Sequence, residues 1–188
     1  MTGNELASLT SELDKTRQEG TRATSPSDAD GGPVDLRSLL RNCATSVAVV
    51  TTRDQTGKPW GVTIGSFGSL SLSPPLILWA LRCDSRSHPV FQAARYFAVN
   101  VLSEGQEEIS RRFASADLDR FGGIRVEDGS YGLPTIDGCV VNLECEQTSL
   151  FPGGDHTILV GLVRQARGSQ RDPLIFCGGG YLKRSGPI

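Results

Sequence analysis

The feature that most constrains the fold is a series of short runs rich in β-branched and aromatic residues, each bounded by turn residues. Residues 46–53 (SVAVVTTR) and the run that begins at Gly61 are separated by residues 54–57 (DQTG), a turn signal that predicts a β-hairpin. Residues 139–150 and 157–167 predict a longer hairpin around the sequence FPGGDH. Many hairpin-connected strands with few helices between them favour a closed or nearly closed antiparallel barrel over a doubly wound sheet.

The segments between these hairpins predict three short helices and one surface excursion. Helices are expected at residues 35–42, at residues 85–94 and after residue 103, where Ser103 and Gln106 form a capping-box pattern. In the last of these helices, Ile109 and Phe113 are four residues apart and are expected on the buried side. Residues 117–135 are rich in Gly and Asp and predict an excursion over the surface. Shorter strand-like runs are found at residues 76–81, at residues 96–102 and twice within residues 173–183.

The first 34 residues differ in composition from the rest of the chain. A stripe of three leucines with helical spacing stops before Gly20, and residues 21–33 (TRATSPSDADGGP) have the composition of a linker. We therefore predict a flexible N-terminal extension, residues 1–34, followed by one globular domain, residues 35–188.

The composition narrows the class of partner and the compartment. The formal net charge is -2 with no run of Lys or Arg, so the 188-residue chain lacks the electrostatic footprint of a nucleic-acid or anionic-membrane binder. No window approaches about 18 uninterrupted apolar residues and the N-terminus is polar, which predicts a cytoplasmic protein without membrane association. Five cysteines without a C-x-x-C pair predict reduced, mostly buried thiols. With only two histidines, we expect no transition-metal site.

Residues 61–82 (GVTIGSFGSLSLSPPLILWALR) concentrate hydroxyl groups and glycines ahead of an apolar strand. Glycines let backbone N–H groups approach a planar or phosphorylated ligand, and hydroxyls can bond to it. This composition predicts a ligand cradle, with a solvated strand edge as the alternative. The hydroxyls belong to Thr63, Ser66, Ser69, Ser71 and Ser73, and the glycines are Gly61, Gly65 and Gly68.

Three further segments are polar, namely residues 82–88, 100–106 and 153–156. A helix start near Ser85 or Ser87 would offer backbone N–H groups to a phosphate, and Asp84 is expected to cap that helix or to contact a neutral part of the ligand. His156, in a glycine-rich loop, would place a hydrogen-bond donor at an open site. The alternatives are a satisfied core amide at Asn100 and a tight turn at the loop. Countercharge is available from Arg82, Arg86, Arg111 and Arg112.

Hydrolase chemistry is disfavoured. No G-x-S-x-G nucleophile elbow is present, and no Ser-His-Asp or Cys-His set can be assembled from the spacing of these residues.

Six segments, taken in order, resemble the flavin reductase family with the FMN-binding split-barrel fold. They read GVTIGSFGSLSLSPPLILWAL, SRSHPVF, FAVNVLSEGQEEISRRFA, LECEQ, GGDHTILVGLV and PLIFCGGGYL. The resemblance as a whole covers residues 35–184. More narrowly, the chain resembles the small NADH-dependent reductase component of two-component, flavin-dependent monooxygenases. The resemblance implies a Greek-key antiparallel split β-barrel with a few short peripheral helices, and a homodimer with each flavin site near the subunit interface.

The resemblance also implies which residues contact the cofactors. The flavin ring and ribityl chain would contact Gly61, Val62, Thr63, Ile64, Gly65, Ser66, Phe67 and Ser69. Arg82, Cys83, Asp84 and Ser87 would lie near the phosphate, and Asn100, Val101 and Leu102 would flank the ring. At Asp84 the chain departs from the Asn that is frequent in the family. Gly154, Asp155 and His156 match the Gly-Asp-His loop on the nicotinamide side, where His156 would position the dinucleotide.

The implied function is NADH-dependent reduction of free FAD or FMN, with FAD favoured, and supply of reduced flavin to a separate monooxygenase. A tight flavin-binding electron carrier or store without NADH turnover is the main alternative, and a pyridoxamine-phosphate-oxidase-like or haem-binding barrel is another. No G-x-G-x-x-G fingerprint follows a strand, but the family folds its dinucleotide over the flavin instead. NADH is favoured over NADPH because no basic cluster is evident for a 2′-phosphate, with Arg164, Arg167 and Arg171 as the possible exception.

Overall fold

The computed structural model describes residue 27 and residues 32–116 and 119–183. The chain divides into two units, one ending at Leu40 and the other beginning at Arg41. The leucine stripe predicted at Leu6, Leu9 and Leu13 lies outside the described residues, as does most of the predicted linker.

The first unit contains helix α1 (Leu36–Leu40). Asp35 precedes this helix, and its Oδ1 accepts a hydrogen bond of 3.2 Å from the Ser38 N–H, as a capping side chain does. The helix is shorter than the predicted residues 35–42, and its three leucines are exposed.

The described residues of the second unit form twelve strands and two helices. In chain order they are β1 (Thr45–Ser46), β2 (Ala48–Arg53), β3 (Pro59–Ile64), β4 (Gly68–Leu72), β5 (Pro75–Arg82), α2 (His88–Ala93), β6 (Tyr96–Val101), α3 (Glu107–Ala114), β7 (Val126–Asp128), β8 (Pro134–Ile136), β9 (Val141–Gly153), β10 (His156–Gly168), β11 (Ile175–Cys177) and β12 (Gly180–Leu182).

Seven of these strands form one antiparallel sheet in the order β3-β2-β6-β9-β10-β5-β4. Two smaller sheets have the orders β1-β11-β12 and β7-β8. The prediction of a mainly β, antiparallel fold with a few short helices is confirmed. Because β10 pairs with β5, the turn between β9 and β10 lies beside the end of β5, although about 75 residues of chain separate them.

Both predicted hairpins are present, and the second is tighter than expected. Strands β2 and β3 pair from Ala48↔Ile64 to Arg53↔Pro59. In the second hairpin, Gly153 and His156 pair with each other, so only two residues remain in the turn. The prediction that Gly153 and His156 lie in a loop is therefore wrong. Gly154 has φ +71°, a left-handed conformation that glycine adopts without strain.

Strand β4 was not predicted, because its sequence GSLSL was attributed to the ligand cradle. It alternates serine with leucine and pairs with β5 at the edge of the sheet, with a register shift between Ser69 and Ser71. Hydroxyl-rich alternation is typical of an edge strand, so the alternative of a solvated edge describes this part of the segment correctly.

The central strands are buried on both faces, which produces two apolar clusters. Val50 of β2 packs in a cluster with Trp79 and Phe97, whereas the neighbouring Val49 packs on the opposite side with Phe113. Successive strand residues point to opposite faces, so α3 must cover the second side. The predicted burial of Phe113 on α3 is confirmed, since its side chain has no exposed surface.

The helix starts differ from the predicted caps. Helix α2 begins at His88, three residues later than predicted, and Ser87 occupies its N-cap without a side-chain hydrogen bond. At α3 only one half of the capping box forms: the Ser103 N–H donates to Gln106 Oε1 at 2.9 Å, while Ser103 Oγ donates to the Gly138 carbonyl at 2.7 Å.

The five cysteines are all free thiols, but they are not mostly buried. Burial raises the pKa of Cys139 and Cys145 to about 12. Cys43 and Cys83 are exposed and Cys177 is half-buried, so the prediction of mostly buried thiols is wrong for these three residues. Among the described residues, no helix combines the length and apolarity needed to cross a membrane.

Candidate functional site

The first part of the predicted cradle packs against helix α3. A Cβ on Gly61 would overlap the Phe113 ring, so the glycine at this position makes room for close packing of helix on strand. Thr63 Oγ1 donates to the Ser110 carbonyl at 2.7 Å, which ties β3 to the same helix. Ile64 is buried in the apolar cluster that contains Trp79, and Val62 and Phe67 pack against that cluster. These side chains therefore support the fold.

Residues at the end of β3 also line an open recess. Thr63, Ile64 and Gly65 form one wall, and the aromatic side chains of Phe176 and Tyr181 form another. The two rings contact each other edge to face with centroids 5.4 Å apart. Three of the predicted flavin-contacting residues thus meet at one concave, partly aromatic surface.

Ser66 connects this end of β3 to the end of β5. Its Oγ donates to the Ala80 carbonyl at 3.1 Å and accepts from the Ala80 N–H at 3.0 Å. Gly65 and Ser66 are exposed, and so is Ser69 on β4. Because Ala80 lies two residues before Arg82, the exposed part of the cradle is held close to the next predicted segment.

Arg82, Asp84, Asp155 and His156, which we call the turn cluster, gather where β5 ends and β10 begins. The first three are exposed and His156 is half-buried. Arg82 and Asp84 form a bidentate pair, with Nε–Oδ1 at 2.9 Å and Nη2–Oδ2 at 2.6 Å. His156 Nδ1 lies 2.7 Å from Asp155 Oδ1. The two pairs are adjacent because Arg82 is the register partner of His156 and the Cys83 N–H donates to the Asp155 carbonyl at 3.0 Å.

These pairs shift the ionisation of their carboxyl groups. The hydrogen bond from Arg82 is the main reason that the pKa of Asp84 is below its usual range, and the His156 hydrogen bond has the same effect on the pKa of Asp155. Asp84 is therefore engaged with Arg82, and the expectation that it caps helix α2 is wrong.

A second set of polar side chains lies next to the turn cluster in the chain, at Thr157 and at residues 83–88. Thr157 Oγ1 lies 2.9 Å from His88 Nε2 and 3.7 Å from Cys83 Sγ. Ser85 Oγ and Ser87 Oγ are 2.8 Å apart in the segment between β5 and α2. Helix α2 has only six residues, and such a short helix gives little support to the phosphate site that was expected at its start.

Ser87 also belongs to a pocket with three cationic side chains, which we call the cationic pocket. Arg86 donates to the Ala116 carbonyl, and Arg120 donates to the carbonyls of Gly61 and Ser115 at 2.7 and 2.5 Å. These bonds to backbone oxygens fix both guanidinium groups at the pocket. The pocket is lined by Lys58, Pro59, Trp60, Gly61, Arg86, Ser87, Arg120 and Phe121.

Asn100, in contrast, is a satisfied core amide. Its Nδ2 donates to the Val49 carbonyl at 3.0 Å and to Thr51 Oγ1 at 3.1 Å, and its Oδ1 accepts from the Ile136 N–H at 2.9 Å and from Asn142 Nδ2 at 2.8 Å. The side chain has no exposed surface. The structure therefore agrees with the alternative stated for Asn100.

Val101 and Leu102 are also buried, with 8% and 0% of their surface exposed. Their side chains pack in the two apolar clusters. The side chains of residues 100–102 therefore lie in the core, and not at the turn cluster or the cationic pocket. Residues 82–84 and 154–156 are at the turn, Ser87 lines the cationic pocket, and Ser66 bonds to Ala80 near the end of β5.

Several residues of the site were missed from the sequence. Lys58 and Trp60 precede the predicted cradle, residues 61–82, and Arg120 and Phe121 lie in the predicted surface excursion. No spacing rule connects these two segments, because they meet only in the folded protein, where Arg120 donates to the Gly61 carbonyl and Phe121 packs on Phe113 of α3. Within residues 32–116 and 119–183, no three His, Cys, Asp or Glu side chains are grouped so as to hold a metal ion.

Comparison with known proteins identifies related sequences and structures. Residues 40–184 match the family described as "Flavin reductase like domain". The chain is 40% identical over 146 residues to an FMN reductase (NADH) of Agrobacterium fabrum, covering 78% of this chain and 83% of that protein. It is 37% identical over 152 residues to the reductase subunit of a flavin-dependent monooxygenase from Mycobacterium tuberculosis, covering 79% and 81%.

Solved structures agree with these sequence matches. An NADH:FAD oxidoreductase of Streptomyces globisporus superposes with a TM-score of 0.78 at 38% identity, covering 81% of this chain and 93% of that one. The same enzyme in complex with NAD and FAD fragments superposes with a TM-score of 0.77 at 36% identity, covering 86% and 98%.

Proposed function

The chain belongs to the flavin reductase family, and from this we propose that it uses NADH to reduce free FAD or FMN. Hydride transfer and one proton convert NADH and oxidised flavin into NAD⁺ and reduced flavin, which a separate monooxygenase then consumes. The flavin and nicotinamide supply the redox chemistry, so the protein must bind both rings, align them and exclude water.

The observation that supports this function best is the position of the cationic pocket relative to the turn cluster. Ser87 lines the pocket, and its Oγ lies 2.8 Å from Ser85, whose N–H donates to the Arg82 carbonyl at 3.1 Å. A phosphorylated ligand with a long polar chain could therefore place its phosphate beside Lys58 and Arg86 and extend toward the turn cluster. A flavin nucleotide has this shape and charge.

We assign His156 to the nicotinamide side of the site. Its side chain is 36% exposed, and its Nδ1 bonds to Asp155, which orients the ring and leaves Nε2 directed away from that carboxylate. A hydrogen bond from the ring would position the dinucleotide without taking part in proton transfer. Gly154 and Asp155 form the tight turn that presents His156 at the surface.

Two of the three arginines considered for a 2′-phosphate, Arg164 and Arg167, are engaged elsewhere, which supports NADH over NADPH. Arg164 pairs with Glu146 at 2.6 Å, and Arg167 bonds to Glu127 at 3.5 Å and to Thr135 at 3.1 Å. Neither residue lines the cationic pocket. A 2′-phosphate would have to compete with these carboxylates.

One assay matrix tests the proposed function. NADH and NADPH are each combined with FAD, FMN and riboflavin, and oxidation of the dinucleotide is followed with purified protein. We expect NADH oxidation that depends on added flavin. A protein that purifies yellow, retains its flavin on gel filtration and consumes little NADH would instead be an electron carrier, and haem absorbance would indicate the haem-binding alternative.

We further propose a homodimer formed through the outer face of the large sheet. Strand β5 alternates Ile77, Trp79 and Leu81 toward the core, yet its outward residues Leu76 and Leu78 are also apolar. The outward side continues across paired positions Ala80, Ile158 and Phe151, and Phe151 is 51% exposed. An antiparallel sheet face in water is normally polar, so this apolar face is suited to a second copy.

Substitution of Phe151 by Asp tests this interface. A buried charge opposite the partner's apolar face should convert the dimer to monomers, as measured by light scattering coupled to gel filtration. Leu182→Asp, at a residue that is 48% exposed on β12, is the control and should leave the mass unchanged. A wild-type protein that is monomeric at micromolar concentration would refute the interface.

A cytoplasmic location is the remaining part of the proposal. The exposed thiols of Cys43 and Cys83 are compatible with a reducing compartment, and NADH is available there. Recovery of the protein in the cytosolic fraction of its host is the expected result, and recovery in an extracytoplasmic fraction would contradict it.

A further inference from the structure

We propose that Cys43 and Cys177 form a reversible disulfide, which closes in response to hydrogen peroxide and weakens flavin binding at the recess lined by Phe176 and Tyr181. The source of the peroxide rests on the proposed function, because reduced flavin that no monooxygenase consumes passes two electrons and two protons to oxygen and so forms hydrogen peroxide. Cys43 is exposed and Cys177 is half-buried, so both thiols can be reached from solvent.

Cys177 is presented by a tight hairpin. It pairs with Gly180, so only residues 178–179 remain in the turn between β11 and β12. Both are glycines with positive φ, +63° and +85°, a conformation that glycine adopts without strain. On its other side β11 pairs with β1, and Thr45 and Phe176 are directly opposite each other. The sheet therefore fixes the position of Cys177 from both sides.

Cys43 lies in an exposed segment beside this hairpin. Cys177 Sγ donates to the Asn42 carbonyl at 3.4 Å. That carbonyl belongs to the peptide that joins Asn42 to Cys43, and its oxygen is about 3 Å from the next Cα, so the Cys177 sulfur is at most about 6 Å from the Cys43 Cα. Residues 41–44 are all exposed. A disulfide requires Cα atoms about 4.4–6.8 Å apart, and an unburied segment can reach this spacing by a small movement toward the hairpin.

The other three cysteines differ from this pair in burial or in neighbour. Burial raises the pKa of Cys139 and Cys145 to about 12, so these two remain protonated and react slowly. Cys83 is exposed, but its Sγ faces the Thr157 hydroxyl at 3.7 Å. Cys43 and Cys177 are therefore the two thiols that oxidation can join.

The exposed Cys43 reacts with the peroxide first. Its thiolate attacks one peroxide oxygen, the O–O bond breaks, and the other oxygen leaves as water, which converts the thiol into a sulfenic acid. The Cys177 sulfur then attacks the sulfenic sulfur, so that the S–S bond forms, the S–O bond breaks and a second water leaves. Altogether two thiols lose two electrons and two protons, and one hydrogen peroxide becomes two waters. A dithiol reductant reverses the bond.

The disulfide acts on the recess because the walls of the recess adjoin both cysteines. Phe176 directly precedes Cys177, and Thr45 follows Cys43 by two residues; both line the recess. A Cβ on Gly65 would lie 3.0 Å from Thr45 Oγ1, so β1 already approaches the end of β3 closely. A covalent bond that draws residues 41–44 toward the hairpin shifts these walls and leaves less room for a flavin ring.

Thiol titration, peptide mapping and flavin calorimetry test the proposal on the full-length protein. Treatment of the wild type with hydrogen peroxide should reduce the number of free thiols from five to three, because one bond consumes two of them. Mass spectrometry should identify a peptide that links Cys43 to Cys177 and that a dithiol reductant separates. The flavin Kd should rise at least about fivefold on oxidation, the lower end of the usual range for coupling between two sites, and should recover on reduction.

Two variants make the test specific. Cys43→Ser should bind flavin like the reduced wild type, and peroxide should neither form the bond nor change its flavin Kd. Cys83→Ser, which removes the other exposed thiol, is the matched control. Peroxide should still join Cys43 to Cys177 in this variant and should raise its flavin Kd by the same factor as in the wild type.

Each result decides the proposal separately from the proposed function. A bond that raises the flavin Kd in the wild type and in Cys83→Ser, but not in Cys43→Ser, supports it. Oxidation of Cys43 to a sulfinic acid without a bond to Cys177 overturns it, and so does a bond that leaves the flavin Kd unchanged. A loss of affinity that persists in Cys43→Ser assigns the peroxide effect to another residue and also overturns it. Absence of NADH oxidation with every flavin refutes the proposed function, while the thiol count and the flavin Kd still test the cysteine pair.

Discussion

The Asn100 network and the turn cluster are both dense groups of polar side chains, but they have opposite roles. Asn100 has no exposed surface and makes four hydrogen bonds to the protein itself. The turn cluster makes its bonds in exposed pairs, with side chains of Arg82 and Asp84 that are 57% and 68% exposed. A buried polar group whose bonds are all satisfied stabilises the fold, whereas exposed polar groups at a tight turn remain able to bind a ligand.

Substitution of Asn100 by Ala is expected to have the largest effect, and the effect is on stability. The variant leaves the Ile136 N–H and the Asn142 amide without their acceptor in the core, which should lower the free energy of unfolding by about 3 kcal/mol. Urea unfolding measures this loss. Asn142→Ala, which removes one donor of the same network, is the control and should cost less.

Asn100→Ala also tests whether the Asn100 network and the turn cluster have different roles. A folded Asn100→Ala protein should bind flavin with wild-type affinity under conditions where it remains native. If it keeps its stability and loses flavin affinity instead, Asn100 belongs to the binding site, and the distinction between the two polar groups fails.

The next effect in size is expected at His156 and concerns activity. His156→Ala removes a positioned hydrogen-bond donor from the proposed nicotinamide side, so kcat/KM for NADH should fall about ten- to a hundredfold. The melting temperature should change little, because the side chain is partly exposed and its bond is to an exposed carboxylate, that of Asp155. Steady-state rates at limiting NADH measure the change.

His88 provides the matched control for this prediction, since the chain has only two histidines. His88 also bonds to a residue of β10, through Thr157 Oγ1 at 2.9 Å, but it is not part of the turn cluster. An equal fall in kcat/KM for His88→Ala would mean that a loosened strand, and not a lost contact to the dinucleotide, explains the result. An unchanged rate for His156→Ala would remove His156 from the site.

The sequence was sufficient to predict most strands of the fold. Runs of β-branched and apolar residues bounded by turn signals identified both hairpins, and Phe113 was placed correctly on the buried side of its helix. These features depend on local periodicity and on the match of strand to strand. Strand β4 escaped because its alternation of serine and leucine resembles a polar ligand loop as much as an edge strand.

The site was less predictable, because its geometry depends on packing between distant segments. Gly61 illustrates the difficulty, since the space left by its missing Cβ is filled by Phe113, more than fifty residues away in the chain. Trp60 and Phe121 are also distant in the chain, yet packing places them in the lining of one pocket. Glycine and serine content indicates that a close approach exists but not whether a ligand or a helix makes it.

The smallest effect is expected from Asp155→Asn, and it depends on pH. The pKa of Asp155 is lower in the folded state than the usual value of about 3.9, chiefly because of the His156 hydrogen bond. The folded state therefore binds fewer protons, so the hydrogen bond to the ionised Asp155 stabilises the protein above that usual value, and this contribution is lost as pH falls through the lowered pKa. The melting temperatures of wild type and Asp155→Asn should differ slightly at neutral pH and converge in acid. Because the pair is exposed and screened by salt, added salt should reduce the difference at neutral pH, and a gap that widens in acid would contradict the assignment.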